Sequence, residues 1–277
     1  MSIIDRTIWF IETHAGSPLG LDDLAAHAGV SRSHLSRIFP LATGHSLFGY
    51  VRARRLSLAA RALADGATDI LSVALDAGYG SHEAFTRAFR DQFGLTPEDL
   101  RRKGTLSQIA IIEALPMSDQ TKTTLAPPVI ERLSALRFAG LAERIDMSNP
   151  GGFAALWQRF GPHLGHIPGA AGPAAYGIVA SADDSTCDYL AGIELRPGAD
   201  LPEGLTEVQA PARRWARFNH PGHVATIRST IRAIYDQWLP GSGEQQADEV
   251  SFIEYYGPDF DPGTGRGTCE IWIGLKH

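Results

Sequence analysis

The sequence predicts an all-α N-terminal domain followed by an α+β C-terminal domain, and three observations lead to this prediction. The first 104 residues have helical apolar spacing and few prolines, and one segment among them is repeated. Later residues form short apolar runs separated by glycine and proline turns. A polar segment that ends in two prolines separates these parts. We therefore place the domains at residues 1–104 and 128–277, with a linker at 105–127.

Charge is distributed unevenly between the two parts. The 277-residue chain is 44% hydrophobic and 20% charged, so it can form a folded core and is not expected to be disordered or fibrous. Its formal net charge is −6. Residues 1–104 carry 12 basic and 11 acidic side chains, whereas residues 105–277 carry 13 and 20. The acidic total therefore does not exclude nucleic acid as a partner of the first part.

Several other protein classes lack support in the sequence. No run approaches the roughly 18 consecutive apolar residues that span a bilayer, and the N-terminal residues have no secretion-signal pattern. Cys187 and Cys269 have neither the spacing of a disulfide framework nor that of metal ligands, so we expect idle, buried thiols. We expect a cytoplasmic protein with no membrane partner, no metal and no cofactor.

Two segments of the first domain, 24–44 and 73–94, have matching sequences. In the first copy, Gly29 can end a helix with positive φ, and Ser31 stands where the next helix needs an N-cap. Apolar residues at i, i+3 and i+4 then leave one polar face, and the second copy repeats this order. The pattern predicts a helix-turn-helix module used twice. For a single copy, ordinary helix packing would be the alternative.

Residues 46–66, between the two copies, have the spacing of a long helix. Arg52, Arg54 and Arg55 on this helix are candidate phosphate contacts, and a solvated helix face is the equal alternative. Two reading helices joined in this way would reach adjacent major grooves of double-stranded DNA, about 34 Å apart.

Residues 1–104 resemble the DNA-binding domain of the AraC/XylS family of transcription regulators. The segment DILSVALDAGYGSHEAFTRAFRDQFGLTPEDLRR, residues 69–102, carries the resemblance. The resemblance implies that one helix of each module reads DNA with its polar face. We add the arginines next to these faces as further candidates. The expected DNA-binding residues are Arg32, Ser33, His34, Ser36, Arg37, Arg52, His82, Glu83, Thr86, Arg87 and Arg90.

These residue types suit the edges of bases. Arg37 and Arg87 can each form a bidentate pair with guanine, Glu83 can accept from a cytosine amino group, and Thr86 can meet a thymine methyl. Small serines replace larger side chains of some relatives in the first reading helix. We therefore expect less direct readout from that helix.

The second domain alternates strand-like runs with two helices. Residues 129–144 have the spacing of a strand or strand pair, residues 151–165 that of a helix, and residues 222–243 that of a helix stopped by Pro240 and Gly241. The remaining strand-like runs are AAYGIVAS, YLAGIEL, RRWARFNH, VSFIEYYG and TCEIWIGLK. This order predicts duplicated strand-helix-strand-strand halves that share one sheet.

The second domain resembles the GyrI-like effector-binding domain, which in several regulators follows an AraC-type domain. The resemblance is carried by HPG at 220–222, WLPGSG at 238–243, FIEY at 252–255 and EIWI at 270–273. Relatives usually continue the last strand with Ile-Pro, whereas Gly274 stands here. The resemblance implies an aromatic pocket with a central glutamate.

Glu254 and Glu270 are the two candidates for that glutamate. A carboxylate among aromatic rings suits a small hydrophobic or cationic ligand. The alternatives are a solvated glutamate on an edge strand and tryptophans that only pack the core. The candidate ligand-binding residues are Trp157, Tyr189, Trp215, Phe252, Glu254, Glu270 and Trp272.

The sequence therefore predicts a sequence-specific DNA-binding transcription regulator controlled by a small molecule, and not an enzyme. RNA polymerase and a second copy in a homodimer are further candidate partners. One alternative is a C-terminal hydrolase, since some isolated domains of similar sequence are hydrolases. No nucleophile–base pair, paired carboxylates, zinc spacing or phosphate loop in the sequence supports catalysis. The other alternative is a C-terminal module for protein interaction or dimerisation.

Overall fold

The computed structural model describes residues 2–117, 124–146, 151–182 and 186–276. The chain divides into two compact units, one formed by Met1–Leu35 with Leu47–Gln120 and the other by Ser36–Ser46 with Thr121–His277. Within the described ranges, no helix is both long and apolar enough to cross a membrane.

The region before residue 104 is helical, as the sequence predicts. Two helix-turn-helix modules, α2 with α3 and α5 with α6, are connected by the long α4. Helix α3 begins in the first unit, and its residues from Ser36 onward belong to the second unit. The helices are α1 (Ile3–Thr13), α2 (Leu21–Ala28), α3 (Arg32–Thr43), α4 (Leu47–Ala64), α5 (Ile70–Asp76), α6 (His82–Phe93) and α7 (Pro97–Lys103).

Both turns have the predicted local structure. Gly29 and Gly78 have φ of 74° and 82°, a backbone conformation that costs least for glycine. The Ser31 and Ser81 hydroxyls each accept the N–H three residues later, both at 3.2 Å, which satisfies a donor at the start of the reading helix. The local sequence signals of the repeat are therefore confirmed at both copies.

The segment after α7 packs along α4 without forming a helix or a strand. The Ile112 N–H donates to Ser57 Oγ at 3.0 Å, and the Leu115 N–H donates to Tyr50 Oη at 3.0 Å. Residues 109–115, IAIIEAL, are apolar enough for either a strand or a helix, and they form neither. Side chains of α4 supply its hydrogen bonds, so part of the predicted linker is held in place.

The second unit contains an antiparallel sheet of eight strands, in the order β1-β6-β8-β7-β3-β4-β2-β5. Helix α8 (Gly151–Phe160) follows β2, and a second helical segment follows β6, which matches the predicted duplicated α+β halves. The strands are β1 (Val129–Leu133), β2 (Leu136–Asp146), β3 (Ala175–Ala182), β4 (Thr186–Leu195), β5 (Thr206–Ala210), β6 (Arg213–Asn219), β7 (Phe252–Tyr256) and β8 (Cys269–Leu275).

The helix predicted at 222–243 is less regular than its apolar spacing indicates. A 3₁₀ turn at Val224–Thr226 leads into α9 (Ile227–Ala233), a π-helical turn at Ile234–Trp238 and α10 (Leu239–Ser242). Pro240 and Gly241 lie inside α10 rather than ending the helix before it, because proline is tolerated in the first turn of a helical segment.

The strand register places Glu254 and Glu270 on opposite faces of the sheet. Residues paired across antiparallel strands point to the same face. Glu254 pairs with Ile271, whereas Glu270 pairs with Tyr255, the next residue along β7. We call these two surfaces the Glu254 face and the Glu270 face.

Candidate functional site

Helix α6 presents a polar face to solvent. His82, Glu83, Arg87 and Arg90 are exposed along it, and this face borders an open concavity of about 490 Å³. The apolar residues on the opposite side of α6 are buried in the helical core. A capped amphipathic helix with basic residues outward has the features of a helix that enters a DNA groove.

Thr86, on the same face, presents its methyl group rather than its hydroxyl. Its Oγ1 is buried and has no hydrogen-bond partner among the described residues, while the residue as a whole remains partly exposed. The exposed part of the side chain is therefore apolar. This orientation suits the predicted contact with a thymine methyl.

Glu83 bonds locally at the start of α6. Its own backbone N–H and the Ser81 hydroxyl donate to its carboxylate, and these bonds lower the pKa of Glu83. The carboxylate is therefore an ionised acceptor, and two local donors leave it free lone pairs for a further donor such as a cytosine amino group.

The start of α3 is also open to solvent. Arg32 and Ser33 are exposed and His34 is half-buried. Arg32 Nε lies 3.4 Å from the Asp22 carboxylate, and both side chains are largely exposed. An exposed ion pair of this kind is weak and can be exchanged for a phosphate contact.

The next turn of α3 differs from the prediction of an exposed polar face. Ser36 is buried, and Arg37 is half-buried. Arg37 Nη1 donates to the Ala247 carbonyl at 3.0 Å and to Ser251 Oγ at 3.1 Å, within the second unit. Helical periodicity could not indicate this burial, because acceptors more than 200 residues away in the sequence occupy the polar side of this turn.

Only one of the three candidate arginines on α4 is exposed to solvent, as a phosphate contact requires. Arg52 is exposed, with its guanidinium 4.0 Å from Asp91. Arg54 is buried and bidentate to the Glu12 carboxylate, and Arg55 donates to two backbone carbonyls of the segment after α1. Arg54 is therefore enclosed and not available to a phosphate, whereas Arg55 is half-buried and engaged with the segment after α1.

The Glu254 face carries a carboxylate surrounded by aromatic groups. Tyr189 Oη donates to Glu254 Oε2 at 2.6 Å, and Tyr256 Oη donates to the same oxygen at 3.1 Å. Trp157 Nε1 donates to Tyr189 Oη at 3.1 Å, and its ring meets that of Tyr256 edge to face at 5.3 Å. Phe252, also predicted as a ligand contact, is buried on the same face.

Glu254 is strongly desolvated but is not sealed from solvent. Burial raises the pKa of its carboxyl, while the two tyrosine hydroxyls and then the charge of Arg228 act in the opposite direction. The residue nevertheless keeps intermediate exposure, as does Trp157. We call the contacting residues Trp157, Tyr189, Glu254 and Tyr256 the Glu254 cluster.

Gly177 of β3 forms the floor beneath this cluster. A Cβ atom at this position would lie 2.0 Å from Tyr189 Oη and 2.6 Å from Glu254 Oε2. Glycine is therefore required by close approach of two side chains, not by backbone conformation. An isolated glycine inside a strand run is the sequence signal that could have identified this position.

The Glu270 face holds its glutamate differently. Arg217 Nε lies 2.9 Å from Glu270 Oε2, Trp272 Nε1 donates to the same oxygen at 2.6 Å, and the Arg217 guanidinium stacks over the Trp272 ring. The Trp272 ring also stacks on Tyr255, with ring centroids 5.5 Å apart. Glu270 thus already has a cationic partner, and Trp272 is buried among its neighbours.

Trp215 lies in the core of the Glu270 face. It is fully buried, and its Nε1 has no hydrogen-bond partner within the described ranges. The structure therefore brings together four of the seven predicted ligand-binding residues, and it places the other three on the opposite face. Sequence reasoning missed Gly177 and did not select Tyr256.

Two family models match the chain. A GyrI-like small molecule binding domain matches residues 126–276, and a helix-turn-helix domain matches residues 24–103.

Named relatives and a solved structure show similarity to the whole chain or to its first part. The transcriptional regulator Rob of Salmonella typhimurium is 29% identical over 99% of this chain and 98% of that protein. The regulatory protein SoxS of Escherichia coli is 41% identical over 36% of this chain and 94% of that protein. A transcriptional regulator structure from Chromobacterium violaceum, described as AraC-type in its DNA-binding domain, has 28% identity and a TM-score of 0.36 over 38% of this chain and 94% of that one.

Proposed function

The chain belongs to the AraC-type transcription regulators with a C-terminal GyrI-like small-molecule-binding domain, and we propose how its parts divide the task of a ligand-controlled regulator. Helix α6 and the first reading helix α3 contact adjacent major grooves of double-stranded DNA, with Arg52 on the phosphate backbone. The Glu254 cluster binds a small hydrophobic cation.

The single observation that carries the ligand proposal is the environment of Glu254. Its carboxylate is bonded by two neutral hydroxyls, whereas Glu270 is paired with Arg217. A carboxylate whose pKa is raised by burial gains most when a cation arrives and compensates its charge. The aromatic rings around it supply the contact surface for the rest of a cationic ligand.

The test compares a cation with its neutral isostere. Phenyltrimethylammonium and tert-butylbenzene have the same shape, and their binding to the full chain can be followed by tryptophan fluorescence. We expect the cation to bind more tightly, and Glu254→Gln to weaken it by roughly tenfold or more. Glu270→Gln is the matched control and should bind as wild type. Loss of binding in Glu270→Gln alone would overturn the assignment to Glu254.

The DNA half is tested with Arg87→Ala and Arg52→Ala. A DNA fragment selected by the full chain from a random pool provides the specific target for a gel-shift titration. Removal of a bidentate arginine should cost about 1–3 kcal/mol and relax specificity at one base pair, whereas Arg52→Ala should weaken all sequences alike. Unchanged affinity and specificity in Arg87→Ala would remove α6 from the interface.

We also propose that the Glu254 cluster binds its ligand without turnover. Burial raises the pKa of Tyr189 and of Tyr256 well above the ordinary value, and burial raises the pKa of the Cys269 thiol to about 12. None of these groups is therefore ionised as a nucleophile near neutral pH. Turnover of a bound compound that is lost in Glu254→Gln would contradict this proposal.

Further partners follow from the proposed role and not from the geometry. A regulator that acts at promoters meets RNA polymerase, and a bacterial chromosome lies in the cytoplasm, so we propose both that partner and that location. A homodimer is a further proposal. Light scattering of the purified chain with and without DNA tests the dimer directly.

A further inference from the structure

Arg37 stands at a position that the proposed function assigns to DNA, yet its guanidinium is already bonded. The Ala247 carbonyl and Ser251 Oγ accept from Arg37 Nη1 at 3.0 and 3.1 Å. Both acceptors lie in residues 244–251, which precede β7, and these residues belong to the same compact unit as Arg37. We call residues 244–251 the receiving segment.

The receiving segment is acidic as well as rich in acceptors. Its sequence, EQQADEVS, contains three carboxylates and no basic residue. Lys276, followed by Arg37 and Arg213, contributes to the lowered pKa of Asp248, so the charge of Arg37 is felt by that carboxylate. A carbonyl, a hydroxyl and negative charge are also what a guanine edge and its phosphates offer to an arginine.

The receiving segment is itself fixed to the sheet. The Ala247 N–H donates to the Gly274 carbonyl at 2.8 Å, and Arg213 Nη1 donates to the Glu249 carbonyl at 2.8 Å. Ser251 is buried, and the Gln246 side chain donates to its carbonyl and its hydroxyl at 3.2 Å. The acceptors for Arg37 are therefore preorganised, which lowers the entropic cost of holding the guanidinium.

We propose that the receiving segment competes with DNA for Arg37 and so restrains the first reading helix. This inference rests on the proposed DNA-reading role of Arg37. The Nη1 group is bonded to Ala247 and Ser251, so a bidentate pair with guanine that uses Nη1 requires the release of both bonds. The observed affinity for DNA is then reduced by the fraction of molecules in which Arg37 is held.

The first test variant weakens the hold of the segment without touching the reading helix. Asp248→Lys changes a side chain that is 79% exposed and reverses the charge felt by Arg37. Glu203→Lys, at another exposed acid of the same unit, alters the net charge equally and is the matched control. The affinity of the full chain for its selected DNA is measured by fluorescence anisotropy at 150 mM salt. We expect Asp248→Lys to bind about threefold or more tightly than Glu203→Lys, because a charge-assisted contact is weakened.

The second variant, Ser251→Ala, removes one acceptor of Arg37 and should also raise affinity, with thermal melting as the check on folding. In an Arg37→Ala background, neither gain should remain, because the competing group is absent. The proposed competition would be overturned if Asp248→Lys bound DNA no more tightly than Glu203→Lys and Ser251→Ala bound it with wild-type affinity. Arg37→Ala with wild-type affinity would instead show that the DNA-reading role of Arg37 is wrong, so the two failures are distinguishable.

Discussion

At the residue scale, the hydroxyl and the methyl of Thr86 have different surroundings and can be tested separately. Oγ1 lacks a hydrogen-bond partner among the described residues, and an unsatisfied buried polar atom costs stability. The methyl is the part available to DNA. A substitution can therefore remove one group and leave the other in place.

We predict opposite results for two substitutions at Thr86. Thr86→Val keeps a methyl outward and replaces the buried hydroxyl, so the free energy of unfolding should stay the same or rise by up to about 1 kcal/mol, with DNA affinity retained. Thr86→Ser removes the methyl and should lose affinity only for DNA with thymine at the contacted position. Urea denaturation and gel shifts measure both. The methyl contact would be refuted if Thr86→Ser and wild type bound DNA equally tightly whichever of the four bases stood at the contacted position.

The raised pKa of Glu254 predicts a defined dependence of stability on pH. Burial raises the pKa in the folded state above the ordinary value of 4.5. Between these two pKa values the folded state holds a proton that the unfolded state has lost, so stability must fall as pH rises through this interval. The Glu254→Gln variant has no carboxyl to titrate and so escapes this fall in stability. Its thermal stability relative to wild type should therefore increase as pH rises above 4.5.

Thermal melts from pH 4 to pH 8 check this prediction, with removal of the exposed carboxylate in Glu203→Gln as the control. A difference between wild type and Glu254→Gln that is constant across this range would show that Glu254 is not desolvated in the folded state. Affinity for a cationic ligand should rise with pH over the same interval, because the ionised carboxylate binds it better.

Single residues mark the limit of what the sequence could predict. Glu254 and Glu270 have similar aromatic neighbours in the sequence, and strand alternation cannot separate them because the register between β7 and β8 is a property of the folded sheet. Arg52 and Arg54 lie about 200° apart around α4, so helical geometry separates their faces but does not show which face is covered. The cover over Arg54 depends on Glu12, which α1 brings to α4.

At the element scale, α4 is the helix on which the first unit is built. Arg54 contacts Glu12 of α1 and donates to the Ile112 carbonyl of the packed segment at 2.6 Å. Arg54→Ala should lower the free energy of unfolding by about 3–5 kcal/mol, because it leaves the Glu12 carboxylate without its partner. Arg54→Lys should restore little of this, because lysine cannot make the bidentate pair.

Arg61→Ala is the matched control on the same helix. Arg61 pairs with Glu113, but both side chains are exposed to a large extent, so its loss should cost no more than about 1 kcal/mol. Urea denaturation of the full chain gives both values. Similar costs for Arg54→Ala and Arg61→Ala would mean that the Arg54 cluster does not hold the first unit together.

Elements with local signals were predicted well, and elements that depend on tertiary contacts were not. The two turns follow from glycine and serine at fixed positions, and the structure confirms them. The irregular segment at 105–117 has a turn but no hydrogen-bond ladder of its own, so neither helical nor strand periodicity describes it. The π-helical turn at Ile234–Trp238 similarly leaves the apolar spacing of a helix intact.

At the scale of the whole molecule, the charge is divided between a near-neutral part and an acidic part. Residues 1–117, which keep the segment packed on α4, carry 12 basic and 12 acidic side chains, against a net charge of −6 for the whole chain. The acidic remainder is repelled by the phosphates of any DNA, whatever its sequence. Non-specific DNA therefore measures this effect without the contribution of base contacts.

We predict that a fragment of residues 1–117 binds non-specific DNA more tightly than the full chain at 10 mM salt, by about threefold or more, once circular dichroism shows that it is helical. The part of this ratio that comes from long-range charge repulsion should vanish near 150 mM salt, because the screening length falls from about 30 Å to about 8 Å. Removal of the receiving segment also frees Arg37, and this gain would persist at higher salt because it reflects a short-range contact. If the ratio of the fragment's affinity to that of the full chain falls with salt to a plateau above one, both effects are present. Equal affinities of fragment and full chain at 10 mM salt would contradict the charge argument.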